Sequence, residues 1–246
     1  MSKDSLDRII KEFPSFDCLA EDKGAFGHAK DGYEKAILLQ RDYEIDVLRD
    51  LQRAVNKCRN NSPISQELNK LDKNYQPRII SRVKSLDSIY RKIVKGEVKW
   101  DDLPLEDTIG YRLVCRFLDE AIELRILLDD ELNKAPFNIT SRFPRLDSGE
   151  WAEKEPYSGY RSYDFAFSYK RPELNIQLEG ELQVRTILQH AWAEVSHDTF
   201  YKNDSLALLP KDTSEKLIHQ MHNLSDILYV VDENFVKLRK QANDKK

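Results

Sequence analysis

The stretch "LNIQLEGELQVRT", residues 174 to 186, places Leu174, Ile176, Leu178, Leu182 and Val184 on one parity and Gln177, Glu179, Glu181, Gln183 and Arg185 on the other. In a β-strand alternate side chains share a face, so one side is dry while the other offers carboxylates, amides and a guanidinium. A solvated strand face accounts for such a pattern as well as a site does. However, this strand runs directly into "ILQHAWAEVSH", which brings two histidines and a tryptophan within one helix. A second carboxylate, Asp107 in "LEDTIGYR", stands where a strand carrying Arg112 and Arg116 begins; on its own it reads equally as a turn residue. Two carboxylates from separate strand edges suit one Mg²⁺, a hard cation that keeps waters and takes phosphate oxygens. Arg82, Lys84, Lys92 and Arg112 would then neutralise phosphate charge, the arginines with bidentate contacts. These are the parts of phosphoryl chemistry.

The elements that must position these residues follow from periodicity. Ile37, Leu38, Ile45, Leu48, Leu51 and Val55 predict an amphipathic helix over 33–57, and a shorter helix fits 63–72, before Pro77. Over 78–95, Val83, Leu86, Ile89, Tyr90 and Ile93 predict a helix with a dry face, while Lys84, Ser88, Lys92 and Lys95 give it a cationic face. "GYRLVCRFLD" predicts a strand over 110–118, with Asp119 as N-cap of the following helix. Two more strands fit 161–169 and 174–185, joined as a hairpin at "KRPE", before a helix starting near Thr186. Leu217, Met221, Leu224, Leu228, Val231, Phe235 and Leu238 mark a long C-terminal amphipathic helix. The fold class is therefore mixed α/β (α+β), strands in the middle and helices at both ends.

A second stretch, "EPYSGYRSYDFAF" at 155–167, holds one carboxylate, Asp164, among aromatic rings. Strand parity sends Tyr163, Phe165 and Phe167 inward and Ser162, Asp164 and Ala166 the other way. A solvated face is the ordinary account of that Asp. Composition narrows the function class: 39 Lys+Arg against 43 Asp+Glu leaves a net charge of −4, which argues against coating nucleic acid by bulk charge. The three cysteines, Cys18, Cys58 and Cys115, have no metal-ligand spacing and suit a reducing compartment. With neither a signal-peptide core nor a membrane-length apolar run, the reading is cytoplasmic.

In order along the chain, "RVKSLDSIYRK", "EDTIGYRL", "SGYRS" and "ELQVRTILQHAWAEVSH" resemble the synthetase domain of the RelA/SpoT family, in particular its small alarmone synthetases. The resemblance covers about residues 78–202. It implies a nucleotidyltransferase-like mixed sheet over 77–205, with a helical extension over 1–76 and a C-terminal helix over 206–246. It also implies an ATP pyrophosphokinase that moves the β,γ-diphosphate of ATP onto a ribose 3′-hydroxyl. Arg82, Lys84, Ser88, Lys92 and Arg112 fall on ATP-binding positions of the family. Asp107 and Glu181 match its Mg²⁺-site acids, and Glu181 matches the group that assists deprotonation of the attacking hydroxyl. Tyr160 matches the ring on which the acceptor base stacks, and Gln183 a polar acceptor-site position.

The departures lie together on the acceptor side. Pro156 replaces a basic residue of the family pattern, Asp164 replaces a His, and Ser196 replaces a Glu. Loss of positive charge disfavours the 5′-phosphates of GDP or GTP. The resembled family includes toxin-type members that modify the 3′-terminal adenosine of tRNA, and this chain leans toward them over guanine-nucleotide synthesis. The partners implied are ATP, an acceptor nucleotide or tRNA 3′ end, and an antitoxin protein acting at the ATP cleft or the long N-terminal helix. The amphipathic terminal helices also offer faces for a homo-oligomer. A catalytically weak relative that binds nucleotide or RNA is the alternative class. No alarmone hydrolase is expected from His197-Asp198, because His28 is the sole histidine before residue 78.

Overall fold

Apolar residues at helical spacing and strands that alternate determine where the core forms. The structure, a computed structural model, describes residues 43–83, 109–144, 159–171, 176–201 and 209–243. Helix α1 spans 43–61 and buries Val47, Leu51, Ala54, Val55 and Cys58 while Ile45 faces outward. Helix α2, Pro63–Leu71, starts as its sequence directs: Pro63 opens the first turn and the Ser62 hydroxyl accepts from the Ser65 amide at 2.9 Å.

Strand β1 is Arg78–Val83 and strand β2 is Ile109–Cys115. The helix expected over 78–95 is therefore corrected at its start: 78–83 pairs antiparallel with β2, Arg78 opposite Val114 and Val83 opposite Ile109. Ile79, Ile80 and Val83 are β-branched, and ladder bonds to a neighbouring strand override the weak helical period of so short a segment. Residues 84–95 lie outside the described residues. Helix α3, Leu118–Glu131, follows β2, with Phe117 rather than Asp119 at its N-cap and Asp119 in its first turn.

Strand β3, Phe137–Pro144, was not among the expected elements. Its alternation is broken by an irregularity between Ile139 and Ser141, and it forms a sheet edge, where proline is tolerated at Pro144. Strands β4, Tyr163–Arg171, and β5, Ile176–Thr186, pair antiparallel as the hairpin reading required. The sheet order is β1-β2-β5-β4-β3, and β2 runs parallel to β5. Tyr111, Leu113, Phe165, Phe167, Leu182 and Val184 join α1 and α3 residues such as Leu51, Leu124 and Leu128 in one core. Gly180 belongs to that packing, since a Cβ there would stand 2.8 Å from the Phe167 ring.

Thr186 caps helix α4, Ile187–Ser196, in a reciprocal capping box with Gln189, and a π-helical turn, His197–Tyr201, follows. Helix α5, Lys211–Asn243, then crosses the domain. Its inward face differs from the expected apolar stripe. Ser225, Asp232 and Arg239 are buried, whereas Leu224, Phe235 and Leu238 are exposed. Among the described residues no helix is long and apolar enough to cross a membrane.

Candidate active site

Parity puts the polar residues of β5 on the sheet face opposite α1 and α3, and register assembles them with their neighbours. One row across the sheet reads Arg82, Gly110, Glu181, Ala166; the next reads Ile80, Arg112, Gln183, Asp164. Strands lie roughly 5 Å apart, so residues distant in sequence become direct neighbours. Of the residues singled out in the sequence, Arg112, Glu181, Gln183, Asp164 and Tyr160 are brought together. Arg82 shares the Glu181 row at the exposed end of β1. Lys84, Ser88, Lys92, Asp107 and Pro156 lie outside the described residues.

Hydrogen bonds give these groups a fixed order. The Gln183 Oε1 accepts from Arg112 Nε at 3.3 Å and from Arg185 Nη2 at 2.5 Å, and Gln183 Nε2 donates to Glu181 Oε2 at 3.1 Å. Two guanidiniums therefore hold the amide oxygen and leave its NH₂ turned to the carboxylate. Arg112 also forms an ion pair with Glu194 of α4. Arg185, 2 % exposed, donates from Nε to Ser162 Oγ at 3.2 Å and from Nη2 to the Tyr160 hydroxyl. Its guanidinium carbon sits 4.7 Å from the centroid of the Tyr160 ring, within cation–π range.

Asp164 is 6 % exposed, and its Oδ2 accepts from the Tyr160 hydroxyl at 3.3 Å. The solvated-face account of Asp164 is thereby removed. Burial, then the Asp164 charge, holds the Tyr160 phenol well above its ordinary range despite Arg185, so Tyr160 is a neutral donor.

The backbone before Tyr160 is shaped by α4 and α5. Gly159 has φ +74°, a left-handed conformation, and a Cβ there would stand 2.9 Å from Trp192 Cζ2 and 3.2 Å from His222 Cδ2. Ser225 Oγ donates to the Gly159 carbonyl, and Trp192 Nε1 donates to the Met221 carbonyl at 2.9 Å. Arg161 pairs with Asp226 at 2.7 Å and stacks over Tyr229. At the end of β5, Thr186 Oγ1 donates to the buried Asp232 at 2.6 Å.

Two site residues escaped the sequence reading. Arg185 carried the right parity, but its burial has no local sequence signal. His190 reads as helix packing or surface, yet burial and then the charge of Arg112 lower its pKa and keep it neutral. Among the described residues its Nδ1 has no hydrogen-bond partner. Its place four residues after the Thr186 cap, about one helical turn into the helix that follows β5, was the available clue. Ser196 is buried and spends its hydroxyl on the Ala193 carbonyl at 3.2 Å.

A family model described as "Region found in RelA / SpoT proteins" matches residues 81–206. The chain belongs to the RelA/SpoT family. It is 22% identical over 169 residues to the GTP pyrophosphokinase YjbM of Bacillus subtilis (strain 168), covering 68% of this chain and 73% of that protein. To the GTP pyrophosphokinase YwaC of the same organism it is 25% identical over 190 residues, 74% of this chain and 83% of the relative. The solved small alarmone synthetase 1 of Bacillus subtilis, bound to its product pppGpp, aligns with TM-score 0.61 and 19% identity over 87% of this chain and 99% of that one. Small alarmone synthetase 2 gives 0.59 and 23%, over 85% and 98%. At these identities the structural likeness establishes the fold, the mixed five-stranded sheet with flanking helices expected from the sequence.

Proposed function

We propose that the protein is an ATP-dependent pyrophosphokinase whose acceptor lacks a 5′-polyphosphate, specifically the 3′-terminal adenosine of tRNA. A ribose 3′-oxygen attacks the β-phosphorus, the bond to the α,β-bridging oxygen breaks, AMP leaves, and Glu181 takes the hydroxyl proton. Arg112 and Arg82 offer positive charge along the same sheet face, so positioning and charge neutralisation supply the rate. The Glu181 carboxylate suits magnesium. Glu181 offers a hard carboxylate oxygen in register with Gly110, three residues after Asp107, and Mg²⁺ is commonly held by one or two carboxylates plus phosphates. Glu181 and Asp107 would hold it, and the ion would supply further neutralisation of phosphate charge.

The observation that carries the acceptor choice is the buried Asp164 carboxylate bonded to Tyr160. A negative charge beside the stacking ring disfavours a polyphosphate, by at most on the order of 2–3 kcal/mol per phosphate charge at ~5–7 Å and an effective dielectric constant of ~20, a figure that the Arg185 guanidinium at the same ring reduces. An adenosine at an RNA terminus presents no 5′-polyphosphate. An antitoxin partner belongs with this reading. A second reading, GDP or GTP as acceptor, is favoured by the names of the two relatives, both GTP pyrophosphokinases.

The test is transfer of γ-labelled diphosphate from ATP with Mg²⁺, offering GDP, GTP, AMP, ATP and deacylated tRNA in parallel beside Glu181→Ala. Label on tRNA, lost in the variant, is the expected result. Label confined to GDP and GTP refutes the tRNA assignment, and label on no acceptor refutes the enzyme.

A further inference from the structure

We propose that Arg185 is a positioning residue for the acceptor: from beneath the site it fixes both the Tyr160 ring and the Gln183 amide. The proposal rests on the reading of Tyr160 as the stacking platform. A buried cation is costly unless something compensates it, and among the described residues no carboxylate stands in ion-pair range of Arg185. Its compensation comes from the Ser162, Tyr160 and Gln183 oxygens and the face of the Tyr160 ring.

Those partners lie on two segments. Ser162 and Tyr160 belong to the chain entering β4, and Gln183 lies on β5 one step from the carboxylate that takes the proton. The planar guanidinium spans both at once, so the distance between ring and amide is set by one rigid group. Lysine offers a point charge on a flexible stem and cannot reproduce that span. Among the described residues Arg185 Nη1 has no hydrogen-bond partner, a feature it shares with other arginines here, so the proposal rests on the span between Tyr160 and Gln183. A residue that served core stability alone would influence both substrates alike.

The test uses Arg185→Lys and Arg185→Met in the full chain, with thermal melting to confirm folding. Arg185→Lys is expected to raise the KM for the acceptor about tenfold while the KM for ATP stays within about twofold. Hydrogen exchange should accelerate in the peptide covering 159–162 and not in α3. Equal losses for ATP and acceptor, or unchanged exchange at 159–162 in both variants, would overturn the proposal. If the wild-type protein transfers to no acceptor, the proposed function falls, and the exchange measurement still decides what Arg185 holds.

Discussion

Gly159→Ala tests whether the segment before Tyr160 is held by helices rather than by the sheet. Alanine at φ +74° costs about 1–2 kcal/mol for the left-handed backbone alone. Its Cβ would also meet Trp192 Cζ2 at 2.9 Å and the His222 Cα at 3.3 Å. The first belongs to a ring whose Nε1 is bonded to Met221 and the second is backbone, so neither yields readily; overpacking adds roughly 1–3 kcal/mol. A total of about 2–5 kcal/mol corresponds to a fall in Tm of roughly 4–20 °C for a domain of this size. Thermal melting followed by circular dichroism measures it. Gly110→Ala is the control, because a Cβ there has its nearest contact at an ordinary 3.8 Å and no positive φ to strain. Equal Tm values for Gly159→Ala and wild type would refute the placement of Trp192 and His222 against this loop.

Asp232 gives a pH signature. Burial raises its carboxyl from 3.8 to about 6, so the folded chain binds this proton more tightly than the unfolded chain. Its contribution is fullest below pH 3.8, declines as pH rises to about 6, and is lost above that, a cost on the order of 1–3 kcal/mol at pH 7. Asp232→Asn should raise Tm at pH 7 by several degrees and change it little at pH 4, and an equal shift at both pH values would contradict this. Asp164→His removes the negative charge beside Tyr160, so it should improve use of GDP relative to tRNA by about tenfold in competition assays. An unchanged ratio would show that Asp164 does not select the acceptor.

Strand parity made much of this site legible. Alternation in "LNIQLEGELQVRT" correctly divided a core face from a polar face, and the helix expected to start near Thr186 does so, in a capping box with Gln189. Long-range decisions were not legible. Nothing local says that 78–83 will find β2 as a ladder partner, or that Asp164 and Arg185 will be buried on the polar side of the sheet. Periodicity judged α5 only in part: of the run Leu217, Met221, Leu224, Leu228, Val231, Phe235 and Leu238, the residues Leu224, Phe235 and Leu238 are exposed and the others half-buried. The fully buried positions are Ser225, Asp232 and Arg239, bonded to Gly159, Thr186 and Asp119, with Tyr229 and Val236 packed on the core beside them. Hydrophobic period predicts burial only where burial is the main force.

That polar docking bears on how acceptor choice and diphosphate transfer are divided in the molecule. The family match ends at residue 206, and α5 begins at Lys211. Yet α5 supplies the hydroxyl on the Gly159 carbonyl, the carboxylate on Arg161, the carbonyl that holds Trp192 and the carboxylate on Thr186. Arg112, Gln183 and Glu181 are tied to one another within the sheet. Changes in α5 can therefore reshape the backbone around Tyr160 while leaving the Glu181 row intact. The Ser225, Trp192 and Thr186 contacts are buried or part-buried hydrogen bonds, each worth about 0.5–1.5 kcal/mol net and more where a charged group takes part, while the half-buried Arg161–Asp226 pair is worth about 1 kcal/mol. On the proposed reading of Tyr160, substitutions in α5 that move the loop at Gly159 should change acceptor KM before they change the Glu181 row.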